Sequence, residues 1–380
     1  MVKNIVLFFF VILIGFLTII SCNKNVKNLA IQDLVIYPSP PDTTRIQYLT
    51  SITTSDFITG NKANFFKFIV GSKEKLQITK PHGLSTYKSK VFICDTGIKG
   101  LVIIDFEKSS FITFIPQGKG ELKMPIGCTT DNNGYLYVAD RERQQVVVFD
   151  EKGLYVNAFG EQENFVPTDV FVSDDKIWVT NSKNNKISVY KKGGSYDLLF
   201  DFPEAEAGTD EHLYTPISVV FNNDKVYVTD FGDFKIKIFD KEGKFISTVG
   251  SYGKVQGQFV RPKGIAVDKN ENLYVVDAGF ENAQIFNKEG NLLMHFGGSY
   301  KGHGDMYLPF GICIQYDNLD YFQKFVDISY NLKYLIFITN QYGPDKLSVY
   351  GFVENATPEQ IEEKQNSKNK RKPKGKKVSL

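Results

Sequence analysis

The chain has 380 residues and a net charge of +2, and the last stretch, Glu354 to Leu380, carries eight basic against four acidic side chains. The body is therefore slightly acidic, which argues against nucleic-acid binding. Its four Cys form no CxxC or CxxCH motif and its four His no HExxH, which excludes zinc-ribbon, c-type haem and zincin chemistry on motif grounds.

Met1 to Ser21 reads as a targeting segment. Lys3 supplies a short positive region, and Ile5 to Ile20 an apolar run suited to the core of a signal peptide. The run ends in Ile19-Ile20-Ser21-Cys22, which resembles the bacterial lipobox and implies that Cys22 is acylated. Several acyl chains at about 0.8 kcal/mol per buried CH₂ would hold the chain on a bilayer. Residues 22–44 form a polar linker in which Pro38, Pro40 and Pro41 oppose regular structure.

Strand alternation begins at Arg45 to Ile52. Asp56 to Lys80 is a less regular lead-in, and its Phe65 to Val70 cluster reads as core packing. A unit of about 45 residues then recurs, anchored at Pro81, Pro125, Pro167, Pro216, Pro262 and Pro309. Each Pro is followed by an apolar strand, and a second strand ends at Asp95, Asp140, Asn181, Asp230, Asp277 or Asn340. A third strand follows, as in VIIDF, VVVFD and IKIFD. Short β-branched and aromatic runs between turn residues are strands. Four strands per unit at this period predict propeller blades, since a lone four-stranded sheet cannot bury both faces.

The clearest unit, Arg261 to Gly298, contains P-x-G-I-A-V-D, then L-Y-V-x-D, then I-F. With Met124 to Gly160 it resembles the NHL repeat, and the resemblance covers about residues 45–353. In the third and fourth units Asp169 and Ser218 stand where the repeat has Gly. The expected fold is an all-β, six-bladed propeller of four-stranded antiparallel blades. Arg45 to Ile52 would close the ring by pairing with the last strand, Leu347 to Val353. Residues 317–333 are an aromatic insertion in the last unit, balanced between self-packing and a contact role. Residues 354–380 are expected to be a disordered basic tail.

An NHL-type fold implies little about chemistry, because such propellers include partner-binding modules, sensors and a few enzymes. In similar lyases, histidines at the blade openings hold a metal. The corresponding residues here are His82, Ile126, Thr168, Ile217, Lys263 and Phe310. One imidazole falls short of the three protein ligands of a catalytic zinc site. Cys94, Cys128 and Cys313 read as buried small hydrophobes. No cofactor or metal is expected.

In an antiparallel blade, the start of the first strand and the end of the second share a face. The Pro turns and Asp95, Asp140, Asn181, Asp230, Asp277 and Asn340 should therefore ring the channel mouth. The side chains can cap turns or present polar groups to a ligand. Arg141, Arg143 and Phe234 follow the ring directly, as do Phe231, Phe280 and Tyr342, and suit a protein-contact face. The expectation is a monomeric, lipid-anchored, non-catalytic propeller on the exported side of a bacterial membrane. It would bind a protein, peptide or glycan through His82, the six ring residues, Arg141, Arg143 and Phe234. Two alternatives are a metal-dependent lactonase- or lyase-type enzyme with its site at the channel mouth, and an envelope protein whose tail holds an anionic surface.

Overall fold

Each blade begins with one contact: the anchoring Pro sits directly opposite the Asp or Asn that ends the second strand. Pro81 pairs with Asp95, Pro125 with Asp140, Pro167 with Asn181, Pro216 with Asp230, Pro262 with Asp277 and Pro309 with Asn340. A register shift follows every one of these Pro residues. Pro has no N–H to donate to a ladder, so it tolerates only such an edge or bulge position.

The computed structural model describes residues 34–60, 75–160, 163–173 and 175–370. The propeller lies in the unit Val35–Leu380. Its inner strands are Pro81–Tyr87, Pro125–Thr130, Pro167–Val172, Pro216–Asn222, Pro262–Val267 and Pro309–Gln315, one for each of blades 1 to 6. Blades 1 to 5 are four-stranded, with every neighbouring pair antiparallel.

Blade 6 is closed by the N-terminal strand as expected: Ile46–Ile52 pairs antiparallel with Leu347–Asn355, from Ile46 opposite Phe352 to Ile52 opposite Leu347. It also has a fifth strand. Ile36–Tyr37, within the stretch read as linker, pairs with Ile46 and Gln47. Pro38, Pro40 and Pro41 come after this short pairing and do not interrupt it.

The core lies between blades. Leu49 and Ile52 of the closing strand pack in one cluster with Leu84, Val91, Val102 and Leu347, which joins blade 6 to blade 1. Ile46 and Tyr48 join the cluster of Tyr274, Ile285 and Ile336, between blades 5 and 6. The closing strand thus contributes to both seams of its blade.

The insertion packs on the protein itself. Leu319–Phe322 is a short helix, and Phe322 is buried 5.0 Å from Phe106 and 5.9 Å from Phe337. The tail starts differently from expectation, because Pro358–Lys370 is an α-helix. Its start is a capping box: Gln360 accepts from the Thr357 backbone N–H at 3.0 Å, and Thr357 accepts from the Gln360 N–H at 3.4 Å. Pro358 occupies the first helical position, where its missing N–H costs nothing. Lys364 then ties the helix to blade 6 through the Tyr330 carbonyl at 2.6 Å. Composition alone suggested disorder, but Glu, Gln and Lys are also good helix formers. The stretch read as a signal segment with Cys22, the cluster Phe65 to Val70 and residues 371–380 lie outside the described residues. Among those that are described, no helix is long and apolar enough to cross a membrane.

Candidate functional site

The six ring residues are latches between loop and blade. All are buried: Asp95, Asp140, Asp230 and Asp277 are 0% exposed, and Asn340 and Asn181 are 1% and 2%. Each accepts hydrogen bonds from backbone N–H groups just before the anchoring Pro. Asp95 takes Thr79 and Lys80 at 2.7 and 2.9 Å, and Asp140 takes Lys123 and Met124 at 2.6 and 2.9 Å. Asp277 takes Val260 and Arg261, Asp230 takes Tyr214 and Thr215, Asn181 takes Val166, and Asn340 takes Tyr307. Asp230 also meets the fully buried Lys237 ammonium at 3.2 Å. These donors would otherwise be stranded at a crowded blade start, so the acceptors satisfy buried backbone groups. At 2% exposure or less, the ring residues hold the face in shape and offer almost no surface of their own.

Those neighbours differ. Arg141 is exposed. Arg143 is half-buried and donates to the Glu121 carbonyl at 2.7 Å and to Gln145 at 2.8 Å. Phe234 occupies the left-handed position of its turn (φ 54°) and packs between Phe231 at 6.4 Å and Tyr252 at 4.8 Å. Tyr252 is 61% exposed. A second aromatic row on the same face runs from Tyr300 to Tyr307 at 6.3 Å and on to Tyr342 at 6.1 Å. Tyr342 is 50% exposed and Tyr307 43%. Tyr252, Tyr300 and Tyr307 sit in loops leading to Pro262 and Pro309 and were not singled out from sequence. A signal was there, since both loops contain Gly-Ser-Tyr.

His82 is buried, not presented at the opening. Its Nδ1 lies 3.1 Å from the Lys80 carbonyl, and its ring meets Phe310 edge-on at 4.8 Å. Burial lowers its pKa to about 4, so the imidazole is neutral at physiological pH. Lys263 stands at the equivalent position of blade 5, with its ammonium 4.2 Å from the Phe231 ring centre and 5.6 Å from that of Phe310. Burial, then the nearby Arg261, lower its pKa to about 8, against the pull of Asp277. The other positions of this circle hold Ile126, Thr168, Ile217 and Phe310, so it offers one His as a metal ligand. Among the described residues no three His, Cys, Asp or Glu side chains converge as a metal site would require.

Below the mouth runs a channel of about 340 Å³ lined by the inner strands of all six blades. Neighbouring inner strands approach closely at the second residue after each anchoring Pro, where four of the six blades carry glycine. A Cβ on Gly83 would come within 2.7 Å of the Ile126 carbonyl oxygen, and one on Gly311 within 2.8 Å of that of His82. Blades 3 and 4 carry Asp169 and Ser218 there instead, and the two departures pair: the Ser218 hydroxyl donates to Asp169 at 2.7 Å, and the Val219 N–H at 3.1 Å. Asp169 keeps some surface toward the channel but is enclosed by protein, and this raises its pKa to about 6. Cys94, Cys128 and Cys313 are free thiols in the surrounding strands.

Residues 207–372 match the family model DUF5128, described as a 6-bladed beta-propeller. No curated protein matches the chain. Among solved structures it is similar to a structural-genomics protein of unknown function from Bacteroides thetaiotaomicron, at 14% identity over 73% of this chain and 70% of that one, with a TM-score of 0.56. It is also similar to a gluconolactonase from Xanthomonas campestris, at 15% identity over 83% and 91%, with a TM-score of 0.51. A catalytically inactive virginiamycin B lyase from Staphylococcus aureus, solved with quinupristin, gives 16%, 74% and 85%, and 0.50. At these identities the likeness establishes the six-bladed fold and no activity.

Proposed function

We propose that this propeller is a non-catalytic binding scaffold, lipid-anchored through Cys22 on the exported side of the bacterial envelope. It captures a protein, peptide or glycan partner on its channel-mouth face. The observation that carries the reading is the pair of aromatic rows on that face, Phe231–Phe234–Tyr252 and Tyr300–Tyr307–Tyr342. Rigid aromatic side chains with polar tips bring large contact area at low entropic cost, and with Arg they dominate interface energetics. The exposed Arg141 adds a charged anchor. The anchor is supported by the apolar run of residues 5–20 ending at Cys22.

Capture from solubilised envelope by the immobilised full chain tests this. Phe234→Ala, Tyr252→Ala, Tyr342→Ala and Arg141→Ala together should weaken recovery of any specific partner at least tenfold, at about 2 kcal/mol or more for a true anchor. The control pair Lys152→Ala and Lys288→Ala is exposed in turns on the opposite face and should change little. Loss of capture in the control pair alone would overturn the face assignment.

A further inference from the structure

The ammonium of Lys263 has an unusual setting. It lines the channel, yet among the described residues it has no carboxylate partner and no hydrogen bond, only the faces of Phe231 and Phe310. Around it the charge inventory is short. His82 is neutral, Arg261 is a second cation nearby, and Asp277, the acid that acts on Lys263, is spent on the backbone N–H groups of Val260 and Arg261. One residue further along the equivalent strand, Asp169 faces the channel beside Ser218. The rest of the wall is mixed, with aliphatic Ile126 and Ile217 beside Ser85, Thr86, Thr129, Thr130 and Thr168.

We infer that the central channel is a binding site for a small monocarboxylate, its carboxylate on Lys263 and its body between the inner strands. Lys263 is the one cation among the residues lining the channel, and a single ammonium matches a ligand with one negative charge. A phosphate would ask for several converging donors, such as an Arg fork or a nest of backbone N–H groups, and the mouth circle of His82, Ile126, Thr168, Ile217, Lys263 and Phe310 does not offer them. A dicarboxylate would bring its second charge toward Asp169. At about 340 Å³ the cavity lies at the small end of the range for ligand pockets. The inference touches the scaffold reading only at Phe231, on whose ring the Lys263 ammonium packs, and it needs no macromolecular partner to bind.

The test is calorimetric titration of the full chain in nanodiscs with hexanoate and its neutral isostere hexanamide. Hexanoate should bind saturably at one site, at least tenfold tighter than hexanamide. Lys263→Met should lose that tenfold advantage, whereas Lys263→Arg should keep most of it. Affinity of the wild type should fall between pH 7 and pH 9, as Lys263, held among Arg261, His82 and Asp277, loses its proton. No saturable hexanoate binding, equal binding of hexanamide, or undiminished binding by Lys263→Met would overturn the inference. If Lys263→Met fails to fold, the comparison of hexanoate with hexanamide on the wild type still decides it.

Discussion

Replacing Asp169 by Asn should change how stability depends on pH, and the size follows from the channel geometry. Asp169 is enclosed between blades 3 and 4, and burial raises its pKa from the ordinary 3.8 to about 6 despite the Ser218 and Val219 hydrogen bonds. The folded protein therefore holds this proton over a pH range in which the unfolded chain has released it. The resulting stabilisation is fully present below pH 3.8 and is lost as pH rises through about 6. At 1.36 kcal/mol per pH unit the gap amounts to about 3 kcal/mol. Asp169 keeps some surface toward the channel, which lets water help to solvate the charge, so the expected effect is about 1.5 to 3 kcal/mol. Urea unfolding of both proteins at pH 4, 5, 6 and 7 measures it. Other titrating groups cancel in the difference, so the stability of Asp169→Asn relative to wild type should rise by that amount from pH 4 to pH 7. A difference that stays level across this range would show that Asp169 is hydrated like a surface carboxylate and that blades 3 and 4 do not enclose it.

Two further outcomes concern the closing strand and the proposed lipid anchor. Deleting residues 45–52 removes Leu49 and Ile52 from the blade 6 to blade 1 seam and exposes the edge of Leu347–Asn355; truncating either side chain alone to Ala should cost about 2–5 kcal/mol, so the deletion should lower the melting temperature sharply and promote aggregation, and an unchanged melt would refute the clasp. Cys22→Ala should abolish metabolic lipid labelling and reduce membrane retention, and equal labelling of mutant and wild type would sink the lipoprotein reading.

The architecture was legible because one pattern occurs six times. Each Pro and its partner Asp or Asn mark a blade start, and Arg45 to Ile52 was left over as an unmatched strand beside an incomplete last unit. What the ring residues do was harder to read. An Asp at a strand end can cap or bind, and only the positions of the loop N–H groups show that Asp95, Asp140 and Asp277 are spent on backbone donors. The aromatic rows were half legible. Phe231, Phe234 and Tyr342 follow the ring in sequence, but Tyr252 and Tyr307 reach the same face from the inter-blade loops. The pairing of Asp169 with Ser218 was visible only as two weak copies of the repeat, since side chains 49 residues apart meet only when neighbouring blades close up. The helix Pro358–Lys370 was obscured by its composition, although Thr357-Pro358-Glu359-Gln360 spells a helix start.

Blade 6 is the one place where the two ends of the propeller's chain are interwoven: the Val353 N–H donates to the Arg45 carbonyl at 2.7 Å. Every other blade is a single continuous run of chain. A nick in the connection between two of these blades would leave one piece carrying Ile46–Ile52 and the other carrying Leu347–Asn355, so the halves would still be held at the clasp as well as across the cut seam. The same arrangement offers a natural route to circular permutation, because Arg45 and Val353 already lie side by side and new termini opened between blades 2 and 3 would disturb no ladder. A reporter divided at that junction would reassemble through a strand pairing the protein already uses.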